Sequence, residues 1–195
     1  MDRLRELALR PGWTYEVVVS TLSDGVPHSA PMGVRTEDET TVRMEIFDGS
    51  QTLNNILATG CFVVNFPSDT CMLFTALFAP DKLAYGPDRG VWPPVLDGCC
   101  ASVDAVLSDA TKLSDRVRVT GTVEETRADR SPRLINRAEG LLVESLILAT
   151  RLHYLHQDSI SASLAENYRV IRKVAPGSPH EANMSELLRA LGLPS

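Results

Sequence analysis

The sequence predicts an α+β protein in which an antiparallel β-barrel comes first and helices follow, and two observations carry this reading. Between residues 15 and 127, short β-branched runs alternate apolar with polar residues and are punctuated by glycine, proline and aspartate, a rhythm that suits roughly six strands of a small barrel. From Ser131-Pro132 onward the texture changes to helix formers with apolar residues three and four apart. Residues 1–130 are therefore assigned to the barrel. Residues 131–195 form a small C-terminal helical part, expected to pack on the barrel and on a dimer partner.

The elements follow in order. Residues 15–21, Tyr-Glu-Val-Val-Val-Ser-Thr, are β-branched enough for a strand, and Ser23-Asp24-Gly25 turns the chain. Residues 28–35 form the second strand. Residues 41–47 alternate Val42, Met44 and Ile46 with Thr41, Arg43 and Glu45 as the third. Residues 51–59 place Leu53, Ile56 and Leu57 on one helical face, and Gly60 ends that helix. Residues 61–66 read as a buried strand, and Ser68 or Asp69 caps a second short helix reaching about Phe78. Residues 79–98, with Trp92-Pro93-Pro94, are too rich in breakers for a regular element and suit a lid. Strands at 101–107 and 116–127 complete the barrel. Helices are then expected from Ser131-Pro132 to about Leu152, at 161–174 and at 181–191. The first of these is apolar on most sides and needs covering, by the barrel and by a second subunit.

Composition narrows the classes of function. With 44% apolar residues in 195, the chain can bury a sizeable core without disulfides. A net charge of -6 and the lack of a Lys/Arg cluster among aromatics argue against nucleic acid. No apolar run approaches the roughly 18 residues of a membrane span, and acids stand among the first bases, so a soluble cytoplasmic protein is expected. Cys61, Cys71, Cys99 and Cys100 lack zinc-site spacing and read as buried free thiols. Adjacent Cys99 and Cys100 point to opposite faces of a strand, which disfavours a redox pair. His153, His156 and Asp158 lack a further metal ligand and read as a solvated helix end. No nucleophile elbow, Walker loop or dinucleotide glycine motif occurs, against hydrolase and kinase functions.

Two segments invite a ligand. In His28-Ser29-Ala30-Pro31-Met32-Gly33, proline removes a ladder donor and glycine a side chain. This fits a bulged edge strand, or a flat heteroaromatic ring lying against exposed main chain. Ser50-Gln51-Thr52-Leu53-Asn54-Asn55 opens a helix after a glycine, which fits an ordinary cap or an anion cradle.

Taken together, Ser20-Thr21, Asp24-Gly25, Ala30-Pro31-Met32-Gly33, Gly49-Ser50-Gln51-Thr52-Leu53-Asn54-Asn55 and Phe62-Val63-Val64-Asn65 resemble the flavin mononucleotide (FMN)-binding split β-barrel of flavin-reductase-like proteins. Asn136-Arg137-Ala138-Glu139-Gly140, Glu144 and Thr150-Arg151 are similar to an uncharacterised branch of that superfamily, met in genomes with tetrahydromethanopterin-linked one-carbon metabolism. The resemblance implies FMN as cofactor and a homodimer. Ser50, Thr52 and Asn55 would lie near the phosphate and Ser29, Ala30, Pro31, Met32 and Gly33 along the ribityl chain and ring. Ser20 and Thr21 would reach in from the neighbouring strand, and Arg151 would neutralise phosphate. It implies an oxidoreductase acting through FMN, with NAD(P)H or another small molecule as partner; a flavin carrier or a subunit-interaction barrel is the alternative. His28 is a candidate proton donor to a substrate, or a partly exposed strand histidine.

Overall fold

Strand-forming sequence at the start of the chain closes on itself. The structure, a computed structural model, describes residues 4–128, 134–150 and 157–194. They divide into two units, Met1–Pro11 with Tyr15–Ile135, and Gly12–Thr14 with Asn136–Ser195.

The first unit contains β1 (Tyr15–Ser23), β2 (Val26–Arg35), β3 (Thr41–Phe47), α1 (Gln51–Thr59), β4 (Cys61–Pro67), α2 (Cys71–Phe78), β5 (Cys99–Lys112) and β6 (Arg116–Ala128). The strands form a closed antiparallel barrel in the order β1-β2-β3-β6-β5-β4. Asp24 and Gly25, both at positive φ, make the two-residue turn that brings Ser23 opposite Val26. Cross-strand partners share a face, so the chain of pairs Val19↔Val64 and Val64↔Val103, with Met44↔Val119, defines the barrel interior. These residues are buried, as is Phe62, whose ring lies over Gly121. Glycine is required there because a side chain at 121 would occupy the ring's place.

The closure is uneven. β2 pairs with β1 from Val26 to Val34 but with β3 only at Val34↔Met44 and Arg35↔Arg43. From Val26 to Gly33 its β3-facing edge therefore has no strand partner, and this gap is the split in the barrel. Outside the barrel, α2 sets Ala76 against Val18 and Leu96, with Met72 and Leu73 packed around them.

The second unit contains α3 (Arg137–Thr150), α4 (Gln157–Val174) and α5 (Pro179–Ala190). Ala138, Ile160, Leu164, Ile171, Met184 and Leu188 are the centre of its own core, against which Trp13 packs. Ser178 caps α5 by accepting the Glu181 N–H, while the Glu181 carboxylate accepts the Gly177 N–H.

Several boundaries differ from those read off the sequence, α4 beginning at Gln157 and not 161, α5 at Pro179 and not 181, and β2 at Val26 and not 28. Leu134 and Ile135 are not helical: the Ile135 carbonyl accepts the Glu16 N–H at 2.9 Å, and the Asn136 side chain caps α3 by accepting from Ala138 N–H at 2.8 Å. Ser131 and Pro132 lie outside the described residues. β5 runs on to Lys112 because its exposed end, from Asp109, still pairs with β6. At α2 the cap position is Thr70, whose side chain makes no capping bond, and Asp69, one of the two expected residues, accepts the Cys71 N–H at 2.7 Å.

Candidate functional site

The split places two kinds of donor side by side. Along β2, Ala30, Pro31, Met32 and Gly33 are half-buried and border the unpaired edge. Pro27 and Pro31 have no N–H, which suits a strand left open on one side. After β3, Gly49 at φ 75° turns the chain into α1. Ser50, the N-cap, has extended backbone angles, and its hydroxyl accepts the Leu53 N–H over a long 3.4 Å, which leaves it weakly committed. The first turn of α1 carries no acid, so its free N–H groups and positive dipole end are uncompensated.

Buried Thr52 points back to β2, with its hydroxyl 3.1 Å from His28 Nε2. Burial lowers the His28 pKa below the ordinary imidazole value, which favours the neutral ring. Thr21 donates its hydroxyl to the His28 carbonyl and accepts the Asn55 side-chain amide at 3.0 Å. Thr21, His28, Thr52 and Asn55 thus form one hydrogen-bonded group that ties α1 to the first hairpin.

Ser20 and Ser29, opposite one another in the register, project to the other face, because neighbours along a strand alternate. Their hydroxyls lie 2.9 Å apart; Ser20 accepts the Asn65 amide and Ser29 accepts the Tyr85 hydroxyl. The residues expected at one ligand therefore fall on two faces of the β1–β2 hairpin: Thr21, Thr52 and Asn55 on the α1 side, and Ser20 and Ser29 under residues 79–98. Arg151 lies outside the described residues, as do His153 and His156.

Residues 79–98 are held at several points. Tyr85 reaches Ser29; Asn65 Oδ1 accepts the Leu96 N–H at 2.9 Å; the Cys61 thiol and the Ser68 hydroxyl donate to the Val91 and Gly98 carbonyls; and both terminal guanidinium nitrogens of Arg89 bond to the Asp104 carboxylate. Arg127 reaches the same carboxylate at 3.0 Å. Asp104 is only 2% exposed, and its hydrogen bond raises the Arg89 pKa further. The expected lid is thus a fixed cover over the outer sheet face, with Tyr85 and Arg89 turned to the sheet. Sequence reasoning missed Asp104. Its signal was one carboxylate in the apolar strand Ala101-Ser102-Val103-Asp104-Ala105-Val106, which demands a cationic partner. Arg89 lay in a stretch without periodicity, so nothing local joined the two.

Cys99 lies 3.5 Å from the Met72 sulfur, and burial pushes its thiol pKa up to about 12, which keeps it protonated and inert near neutral pH. At the barrel end a crevice of about 700 Å³ opens among Leu22, Asp24, Asn54, Asn55, Ala58 and Val91. No helix among the described residues is long and apolar enough to cross a membrane.

Known proteins resemble both parts of the chain. Residues 15–130 match the N-terminal domain, and residues 136–189 the remaining part, of a family described as protein of unknown function, DUF447. An uncharacterised protein of Methanocaldococcus jannaschii is 26% identical over 195 residues, 91% of this chain and 98% of the relative. Among solved structures, an FMN-bound DUF447 protein of Methanosarcina mazei superposes with a TM-score of 0.57 at 20% identity, over 96% of this chain and 99% of that one. Component B of nitrilotriacetate monooxygenase from Mycobacterium thermoresistibile gives 0.53 at 22% identity, over 62% and 73%. These likenesses establish the split-barrel fold.

Proposed function

Since the chain belongs to the DUF447 family, we propose that it is a flavoprotein that binds FMN in the split between β2 and β3 and acts through it as an oxidoreductase. The observation that carries this reading is the unpaired β2 edge beside an acid-free helix start. A planar ring needs main-chain donors and acceptors along one side, and a phosphate needs N–H groups and hydroxyls without a competing carboxylate. Residues 29–33 and Ser50 with Thr52 supply these two sets. The FMN-bound relative in Methanosarcina mazei supports the choice of ligand.

Bound there, FMN would supply hydride and single-electron transfer. The main chain of Ala30 to Gly33 orients the ring, and Ser50 and Thr52 hold the phosphate oxygens. Arg89 and Tyr85 fasten residues 79–98 and keep water from the outer face of the same hairpin. NAD(P)H is the proposed electron donor, and the resemblance to the tetrahydromethanopterin-associated branch suggests an acceptor in one-carbon metabolism. A homodimer is proposed as well, supported by the exposed apolar side chains Val143, Leu146 and Ile147 on α3 and Phe74, Leu77 and Phe78 on α2.

Titration of the purified protein into FMN tests the reading directly. Saturable quenching of flavin fluorescence is expected, and its absence refutes flavin binding. Anaerobic addition of NADH or NADPH to the complex should bleach the flavin; a persistent yellow colour would favour a carrier.

A further inference from the structure

We propose that His28 is a positioning residue that makes the FMN phosphate bind together with one proton, by controlling which way the Thr52 hydroxyl points. The proposal rests on the FMN reading above. Thr52 is buried at the acid-free start of α1, and its hydroxyl is 3.1 Å from His28 Nε2. A hydroxyl has one proton to give. When the neutral ring carries its proton on Nδ1 and Nε2 is bare, the Thr52 proton is given to the ring and only its lone pairs face the cradle, the wrong polarity for phosphate; a neutral ring protonated on Nε2 would free Thr52 with no proton taken up, and binding without proton uptake overturns the proposal. When the ring takes a proton from solvent, Nε2–H donates to Thr52 Oγ1, and the Thr52 hydrogen is released to a phosphate oxygen.

The surroundings leave this equilibrium to the ligand. Burial favours the neutral ring beforehand, and no charged group contributes to its shift. α1 and β1 next to His28 present Thr21, Thr52 and Asn55, which are uncharged. From β3 and the following turn, Arg43 is paired with Glu37, Glu45 with Arg118 and Asp48 with Lys112. Asp24 is exposed at the hairpin tip. α2, also packed on β2, carries no titratable group but Cys71. Among the described residues none of these charged side chains is bonded to the ring, and a phosphate dianion beside it favours the protonated form.

Calorimetry of FMN binding at about pH 7, in two buffers of different ionisation enthalpy, reads the proton directly. Uptake approaching one proton per FMN is expected. Riboflavin, which lacks the phosphate, should bind without uptake, and its binding reports that each variant is folded. His28→Gln, which keeps a hydrogen-bonding side chain but cannot be protonated, and Thr52→Val, which lacks the hydroxyl, should both abolish the uptake. Above pH 7 the FMN affinity of the parent should fall by up to tenfold per pH unit, while that of His28→Gln stays level. Unchanged uptake in His28→Gln, or uptake retained in Thr52→Val, overturns the relay. Failure of both flavins to bind the parent protein overturns the FMN reading itself.

Discussion

Gly121→Ala tests the packing that holds the barrel shut. A Cβ at this position would stand 2.4 and 2.8 Å from two atoms of the Phe62 ring and 3.0 Å from the Ala105 methyl. Ordinary contact needs a carbon separation of about 3.5 Å or more, so the ring would have to retreat by roughly 1 Å. Phe62 is fully buried, and Gly121 is fixed by its pairing with Val42 on one side and Leu107 on the other. Overpacking of this kind costs about 1 to 3 kcal/mol, and an aromatic ring between paired strands puts it near the upper end. The alanine recovers about 0.5 kcal/mol by restricting the unfolded chain, leaving a net loss of roughly 2 kcal/mol. The barrel should then melt about 4 to 8 °C lower in calorimetry. Phe62→Leu shortens the intruding ring, so the double variant should be more stable than the sum of the single losses predicts, by about 1 kcal/mol or more. A Gly121→Ala protein that melts with its parent, or strict additivity in this cycle, would refute the assigned interior packing.

Ser50→Ala with Thr52→Ala should weaken FMN binding by about 1 to 3 kcal/mol, the cost of two hydrogen bonds to a charged group, and weaken riboflavin far less; equal losses in fluorescence titration would mean the turn only supports the fold. Asp104→Ala leaves Arg89 and Arg127 without their shared carboxylate. Because those side chains are 22% and 38% exposed, the loss should be about 2 kcal/mol, below that of a fully buried pair. Trypsin should cut faster at Lys82 and Arg89 in this variant, and an unchanged digestion rate would show that the ion pair does not hold residues 79–98. Leu146→Glu, on the exposed side of α3, should turn a dimer into a monomer in sedimentation while the protein stays folded. Leu142 is less suitable because it packs against the core of its own unit. A parent protein that sediments as a monomer removes the homodimer proposal.

The barrel strands were legible along the sequence as β-branched, buried or alternating runs: Val42, Met44 and Ile46 alternate and are buried in turn, while residues 61–66 are apolar but for Asn65 and wholly buried. The helix at 51–59 was equally plain, since Gly60 at φ 74° ends it, but its buried face is Leu53 and Ile56 with Thr52 and Asn55, and Leu57, expected on that face, is exposed. What was not legible depends on long-range pairing. Residues 109–112 of β5, Asp-Ala-Thr-Lys, are exposed and carry no apolar alternation, so only their partners on β6 make them strand. Asn136 at the start of α3 was not legible because its side chain also ties Thr14 and Val174, an arrangement that spans 122 residues. In the site, Ser50 and Thr52 announced themselves as a helix start. The division of Ser20 and Ser29 from Thr21 followed from strand alternation, and the partners of each, Asn65 and Tyr85 against Asn55, come from distant segments.

An unsatisfied strand edge invites any extended polypeptide to extend the sheet, which in a crowded cell is a route to aggregation. Pro27 and Pro31 alter what the β2 edge will accept. They stand four residues apart, so an added strand would meet a missing donor twice along this edge and could not build a continuous ladder. A small rigid molecule that needs only one or two main-chain bonds in a single place suffers no such interruption. The proline spacing thus acts as a size filter, turning away chains and admitting planar ligands, and it does so whether or not a ligand is present.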